Sequence, residues 1–336
     1  MRIDFSSILI LKAREVSTIL ENKEREIVQL VKTAYQEHAA GASSLPHSTF
    51  LRFPSSEVNR IIALPAYLGG EFDISGVKWI SSFPGNRDLG MDRASAVIII
   101  NSNRTGRPKA IFEGATISAK RTAASAALAA ERLHPNRQVN TIGIIGCGLI
   151  NFEIVRFLRS TFPQVGELII FDNFPNQAVQ FSEKCEKSFV PLKVKIVNDP
   201  KQVLRNSSLI SVATTAVTPH ISDVSHCTQG STILHISLRD FSPEVILASD
   251  NVVDDPDHVC RANTSIHLAE QIAANRNFIR CTLADILNEK EIARKVNSRL
   301  TIFSPFGLGI LDLAVSKYVY DEACKLGMGI TIDSFF

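Results

Sequence analysis

The six cysteines of this 336-residue chain (Cys147, Cys185, Cys227, Cys260, Cys281 and Cys324) are widely spaced and include no C-x-x-C pair. That pattern indicates neither a zinc site nor a disulfide framework, and it fits reduced thiols in the cytoplasm. Charge of one sign is equally scarce: 36 basic residues stand against 34 acidic ones, for a net charge of +2, with no basic run. There is therefore no electrostatic reason to expect nucleic acid or a membrane surface as partner. No apolar run is long enough to span a bilayer; Ile8 to Leu11 is far too short. The N-terminus lacks the basic start, long apolar core and small-residue cleavage site of a signal peptide. A cytoplasmic location is the expectation, so the sequons Asn206-Ser207-Ser208 and Asn263-Thr264-Ser265 carry no weight. The eight histidines are scattered, and the pattern assigns none of them to catalysis or to a metal.

What the chain does have is enough apolar residue, 45% of the total, to bury a large core in two domains. Its organising stretch is Thr141-Ile142-Gly143-Ile144-Ile145-Gly146-Cys147-Gly148-Leu149-Ile150. An apolar strand runs into a Gly-x-Gly turn and then a helix, from about Asn151 to Leu158. The first glycine allows a tight turn, the second lets backbone approach a pyrophosphate, and the helix start offers free N–H groups. Gly146, Cys147, Gly148, Leu149 and Ile150 are thus candidate cofactor-binding residues. A second apolar strand, Leu168-Ile169-Ile170-Phe171, ends in Asp172, where a ribose-binding carboxylate belongs. Asp172 would repel a 2′-phosphate, and the following Asn173-Phe174-Pro175-Asn176 offers no arginine, so the pattern predicts NAD over NADP. The third glycine of the fingerprint is replaced by Asn151, which predicts looser helix–strand packing there.

Before the fingerprint, helical spacing covers Arg14 to Leu20 and Glu24 to Ala40, and strands are expected at Ser48 to Phe53, Asn59 to Leu64, Ile74 to Ile80 and Ala94 to Asn101. A turn at Asn101 to Pro108 lets Lys109 to Glu113 pair back as a hairpin, and the alanine-rich Ala115 to Leu133 reads as a long helix. Beyond the fingerprint, strand and helix alternate to Leu300–Phe303, as in parallel βαβ units. Ile310 to Gly327 reads as a last helix. The expected fold is α/β: a Rossmann doubly wound nucleotide domain (121–304) plus an α+β substrate and dimerisation domain (1–120 and 305–336) with a mostly antiparallel sheet.

Several separated stretches together resemble the ornithine cyclodeaminase and mu-crystallin family over nearly the whole chain. They are Gly76-Val77-Lys78-Trp79, Thr105-Gly106-Arg107-Pro108, Lys120-Arg121-Thr122-Ala123-Ala124, Gly146-x-Gly148, Val212-Ala213-Thr214-Thr215 and Gly307-Leu308-Gly309-Ile310-x-Asp312. Three more, Arg60-Ile61-Ile62-Ala63-Leu64-Pro65, Leu68-Gly69-Gly70-Glu71 and Met91-Asp92-Arg93-Ala94-Ser95, are similar to one branch. Its members use NAD to cleave N-(2-amino-2-carboxyethyl)-L-glutamate into 2,3-diaminopropionate and 2-oxoglutarate for a siderophore or peptide antibiotic. The resemblance implies that chemistry, a homodimer through the N-terminal sheet, and a cysteine-synthase-like pathway partner. It also implies substrate-binding roles for Arg60, Lys78 and Arg121, catalytic roles for Asp240 and Lys78, and cofactor contacts at Thr214, Ser95 and Arg121. Ornithine cyclodeaminase, alanine dehydrogenase or ketimine reductase activity would use the same three cations, and a dinucleotide-dependent binding protein without turnover is a reading of another class. Leu311 departs from the glutamate usual before the aspartate.

Each assignment has a structural alternative. Lys78 in an apolar strand can face solvent, and Arg121 can be a surface residue of its helix. Asp240 can cap the helix beginning near Pro243. Asp254, Asp255, Asp257 and His258 form the one dense acidic cluster, and its spacing suits a solvated loop better than a metal site.

Overall fold

The computed structural model describes residues 6–295 and 300–336. The chain begins with β1 (Ile8–Leu11), α1 (Ala13–Ile19) and α2 (Glu24–Ala39). Helix α2 buries Ile27, Val31, Ala34 and Tyr35, a stripe at helical spacing. Four antiparallel-paired strands follow a two-residue β2 (Ser43–Ser44) and β3 (Thr49–Phe53): β4 (Ser56–Leu68), β5 (Ile74–Ser82), β6 (Ala94–Asn101) and β7 (Pro108–Glu113), with β4 pairing back to both β2 and β3. Strand β4 runs four residues past the expected Leu64 and through Pro65. It tolerates the proline because Pro65 lies between the ends of β3 and β2, where β4 is paired on one side only.

The long helix α3 (Ala115–Leu133) leads to β8 (Thr141–Ile145), α4 (Leu149–Thr161), β9 (Glu167–Phe171), α5 (Pro175–Ser188), β10 (Lys193–Ile196), α6 (Pro200–Asn206) and β11 (Leu209–Val212). Then come β12 (Ser231–His235), α7 (Pro243–Leu247), β13 (Asp250–Val253), α8 (Pro256–Val259), α9 (Ser265–Ala273), β14 (Ile279–Thr282), α10 (Leu283–Leu287) and β15 (Leu300–Ser304). The chain closes with α11 (Gly309–Leu326) and β16 (Ile330–Ile332).

Two compact units result, Met1–Arg121 with Leu308–Phe336, and Thr122–Gly307. The first holds a sheet of order β16-β1-β7-β6-β5-β4-β2, with β3 also on β4; it is antiparallel except for the β1–β7 pair. Helices α1, α2 and α11 pack on one face. The opposite face presents Leu51, Tyr67, Trp79 and Val97, all exposed, with Trp79 at 45%. The second unit is a fully parallel sheet of order β10-β9-β8-β11-β12-β15-β13-β14. From β8 the order runs outward through β9 on one side and β11 on the other. The carboxyl ends of β8 and β11 therefore flank the point where the winding reverses, which is where ligands bind in open parallel sheets.

Candidate functional site

In the first unit, Lys78 lies in register between Leu64 of β4 and Ile98 of β6. Its strand face is the one covered by α11, so its side chain is only 3% exposed rather than solvated. Lys78 Nζ donates to Asp312 Oδ2 at 2.7 Å and to Ser118 Oγ at 3.1 Å. Arg121 Nε donates to the other oxygen, Oδ1, at 3.0 Å, and Arg121 is buried as well. Asp312 has no solvent exposure, yet the Arg121 and Lys78 charges outweigh its burial and hold its carboxyl below the usual range. Burial, with Arg121 nearby, pushes the Lys78 ammonium down to about 8 despite the opposing pull of Asp312. Two cations on one carboxylate leave a buried excess of one positive charge, which a ligand carboxylate would balance.

Arg60 lies on the same sheet face, opposite Arg52 on β3 and Ser82 on β5. It is four residues along β4 from the Leu64 that faces Lys78, roughly 13 Å at strand rise. Burial and then Arg52 lower its pKa, and no carboxylate among the described residues pairs with it. Ser95 is brought to neither cluster: its hydroxyl bonds Ser81 at 2.8 Å on the uncovered face.

In the second unit, Gly146 has φ +90° and a Cβ there would stand 2.3 Å from the Ala213 carbonyl oxygen, so glycine is required. At Gly148 a Cβ would meet nothing within 4 Å, which leaves open space over the backbone at the start of α4. That opening, with the unbonded amides of the first turn of α4, fits a pyrophosphate. Leu149 is exposed and Ile150 half-buried beside the opening. Asp172 accepts from Cys147 N at 2.7 Å and Phe174 N at 2.9 Å, which aims a carboxylate at the turn where a ribose would lie. Asn151 does not loosen the packing by leaving a gap. It is fully buried, donating to the carbonyls of Ile145 and Gly146 and accepting from Ser211 Oγ at 2.7 Å, so it ties β8 and its turn to β11.

Asp240 follows β12 and is fully buried. It does not cap α7; Ser242 does, accepting from Val245 N. Thr214, just past β11, donates its hydroxyl to Asp240 Oδ1, and Ser237 donates to Oδ2. His235 Nε2 lies 3.2 Å from Oδ2 and His220 Nε2 3.4 Å from Oδ1. Burial pushes the Asp240 carboxyl up, but His235, Ser237 and Thr214 together outweigh it and hold it below the usual range. The two histidines had no local signal, since neither stands in a motif and both acquire a role only by lying against Asp240. The signal for Asp312 was present: a carboxylate inside the apolar run Ile310-Leu311-Asp312-Leu313-Ala314 needs a buried partner.

The acidic cluster after β13 is not wholly solvated. Asp254 is buried and accepts from Phe306 N at 2.8 Å and Gly307 N at 2.7 Å, with burial raising its carboxyl to about 6. Asp255 caps α8 by accepting from Asp257 N and His258 N.

The model of the ornithine cyclodeaminase/mu-crystallin family matches residues 8–326. The chain belongs to that family. It is 27% identical over 320 residues to the N-((2S)-2-amino-2-carboxyethyl)-L-glutamate dehydrogenase of Staphylococcus aureus (strain NCTC 8325 / PS 47), covering 94% of this chain and 95% of that protein. Among solved structures, the Δ1-pyrroline-2-carboxylate reductase of Thermococcus litoralis with NADH and L-proline superposes with a TM-score of 0.89 at 25% identity, covering 97% of this chain and 100% of that one. An archaeal alanine dehydrogenase dimer with bound NAD gives 0.86 at 27% identity, covering 98% and 100%.

Proposed function

We propose that this family member is an NAD-dependent amino-acid dehydrogenase that oxidises and cleaves N-(2-amino-2-carboxyethyl)-L-glutamate to 2,3-diaminopropionate and 2-oxoglutarate. The observation that carries the reading is the buried Lys78–Asp312–Arg121 cluster with its one unbalanced positive charge. Lys78 and Arg121 hold the carboxylate beside the carbon to be oxidised. The conjugate has three carboxylates, and Arg60, facing Arg52 with no acidic partner among the described residues, takes another. An alanine substrate would leave that second pair of cations idle. NAD, when bound, accepts the hydride from the amino-acid α-carbon. Gly146, Cys147, Gly148, Leu149 and Ile150 hold its pyrophosphate and Asp172 its ribose, while Thr214 keeps Asp240 placed at the end where water attacks the imine. In support, the relatives named above include one dehydrogenase named for that substrate and two structures with NADH or NAD bound.

A cysteine-synthase-like enzyme would supply the conjugate. The exposed Leu51, Tyr67, Trp79 and Val97 form the face of a homodimer, as apolar sheet faces need cover; light scattering at micromolar concentration checks this, and a monomer refutes it. The substrate test is NAD reduction by the purified protein with the conjugate, alanine, ornithine and proline, with 2-oxoglutarate identified by mass spectrometry. Reduction by alanine or ornithine but not by the conjugate would overturn the assignment. Fluorescence titration with both dinucleotides completes it, with NAD expected to bind more tightly than NADP.

A further inference from the structure

Asp240 has most of its lone pairs occupied. It receives the hydroxyls of Thr214 and Ser237, and an imidazole stands against each of its oxygens. A carboxylate so well satisfied is a weak proton acceptor but a strong orienting group. Its two histidines are not equivalent. His235 is fully buried, edge-on to Phe241 with ring centroids 4.8 Å apart. Its Nδ1 lies 3.1 Å from Ser304 Oγ, and its Nε2 lies 3.2 Å from both Asp240 Oδ2 and the Asp240 amide nitrogen. Both ring nitrogens are engaged.

His220 is built differently. Its side chain is 40% exposed, Nε2 faces Asp240 Oδ1 at 3.4 Å, and Nδ1 has no hydrogen-bond partner among the described residues. The backbone N–H groups of His220 and Ile221 both donate to the Asp240 carbonyl at 2.8 Å, and Ile221 bridges Phe241 in parallel. The segment carrying His220 is thereby clamped to the one carrying Asp240. Among the described residues, Asp240 is the charged group within ion-pair distance of His220, and His235 lies across that same carboxylate. An imidazole with one nitrogen on a buried carboxylate and the other open is the arrangement in which histidine moves protons.

We propose that His220 carries the proton in the hydrolysis of the imine, with Asp240 and His235 as the pair that positions it. The inference rests on the amino-acid dehydrogenase reading given above. As the water oxygen bonds to the imine carbon, the proton it loses goes to His220 Nδ1. The same nitrogen passes that proton to the substrate nitrogen, giving a carbinolamine. His220 Nδ1 then takes the carbinolamine hydroxyl proton and delivers it to the nitrogen as the C–N bond breaks, so both water hydrogens leave on the departing amine while the oxygen stays as the ketone of the oxo acid. No oxidant enters beyond the NAD of the preceding hydride step.

His220→Gln and His220→Asn test this. Each is expected to lower kcat by about 10²- to 10⁴-fold, with KM and NAD affinity changed less than threefold and melting temperature unaltered. Free imidazole should restore part of the lost turnover, a rescue that a merely structural role would not give. A readout independent of turnover is carbethoxylation by diethyl pyrocarbonate, located by peptide mass spectrometry: His220 is expected to react readily and His235 not at all. Wild-type kcat in both variants, absence of imidazole rescue, or an unreactive His220 would each overturn the proposal. Running the variants on the conjugate, alanine, ornithine and proline keeps the two ideas apart. Failure of the conjugate alone removes the substrate reading, and His220 is then judged on whichever amino acid reduces NAD.

Discussion

The Lys78–Asp312–Arg121 cluster of the first unit and the Asp240 network of the second both bury ionised groups, but they compensate them by opposite means. The first sets charge against charge and ends with one cation too many. The second surrounds a single carboxylate with hydroxyls and imidazoles. An excess of one charge in a dry setting attracts a missing counter-charge, the role given above to a substrate carboxylate as a proposal. Neutral donors with two imidazoles keep a negative charge in place and leave protons free to move. On the function proposed above, the manner of compensation separates a site that grips from a site that handles protons.

The largest expected effect tests the second half of that contrast. Asp240→Asn keeps the volume but removes the charge that orients His220 and His235, and turnover should fall by about 10²- to 10⁴-fold. NAD affinity should stay nearly constant, because the fingerprint turn and Asp172 are untouched. Since Ser242 caps α7, loss of a helix cap cannot account for the result. Near-normal release of 2-oxoglutarate by a stable variant would break the comparison.

The first half predicts an asymmetry in stability. Asp312→Asn leaves two buried cations facing each other, and removing one partner of such a pair costs about 3–5 kcal/mol. Lys78→Met leaves the Arg121–Asp312 pair intact and balanced, so it should cost distinctly less while still weakening substrate binding. Thermal unfolding of the two variants decides; equal losses would mean that the excess charge is not what the cluster stores.

Much of this was legible locally. The glycine turn after β8, Asp172 after β9 and the alternation of strand and helix are short-range patterns, and the family resemblance rested on motifs of a few residues. Lys78 in an apolar strand and Asp312 in an apolar helix could each be recognised as a charge in need of a partner. That they partner one another, 234 residues apart in the chain, is a tertiary fact. The same holds for His220 and His235 at Asp240, and for Asn151, whose buried hydrogen bonds exist only because β11 lies beside β8. Strands β2, β14 and β16 have two to four residues each, too few for an alternating pattern to show. Strand β4 passes through Pro65 because of where its neighbours stop, which residue order alone does not reveal.

The smallest effect is a pH dependence of the first cluster, opposite in sign for stability and for binding. Burial lowers the Lys78 ammonium from 10.5 to about 8, so between those values the unfolded chain binds more protons at this residue than the folded one. Its contribution to stability therefore rises with pH across that window. Binding runs the other way: a neutral Lys78 cannot grip a carboxylate, so kcat/KM, which reports the free enzyme, should fall above about pH 8 by up to about tenfold per unit. In the complex the substrate carboxylate favours the charged ammonium, and the same limb should appear at higher pH in kcat. Lys78→Arg keeps its charge throughout this range and should lose the limb, even though a guanidinium fits the site less well. If wild type and Lys78→Arg gave superimposable alkaline limbs in kcat/KM, the fall would belong to another group and Lys78 would not be the cation that holds the substrate.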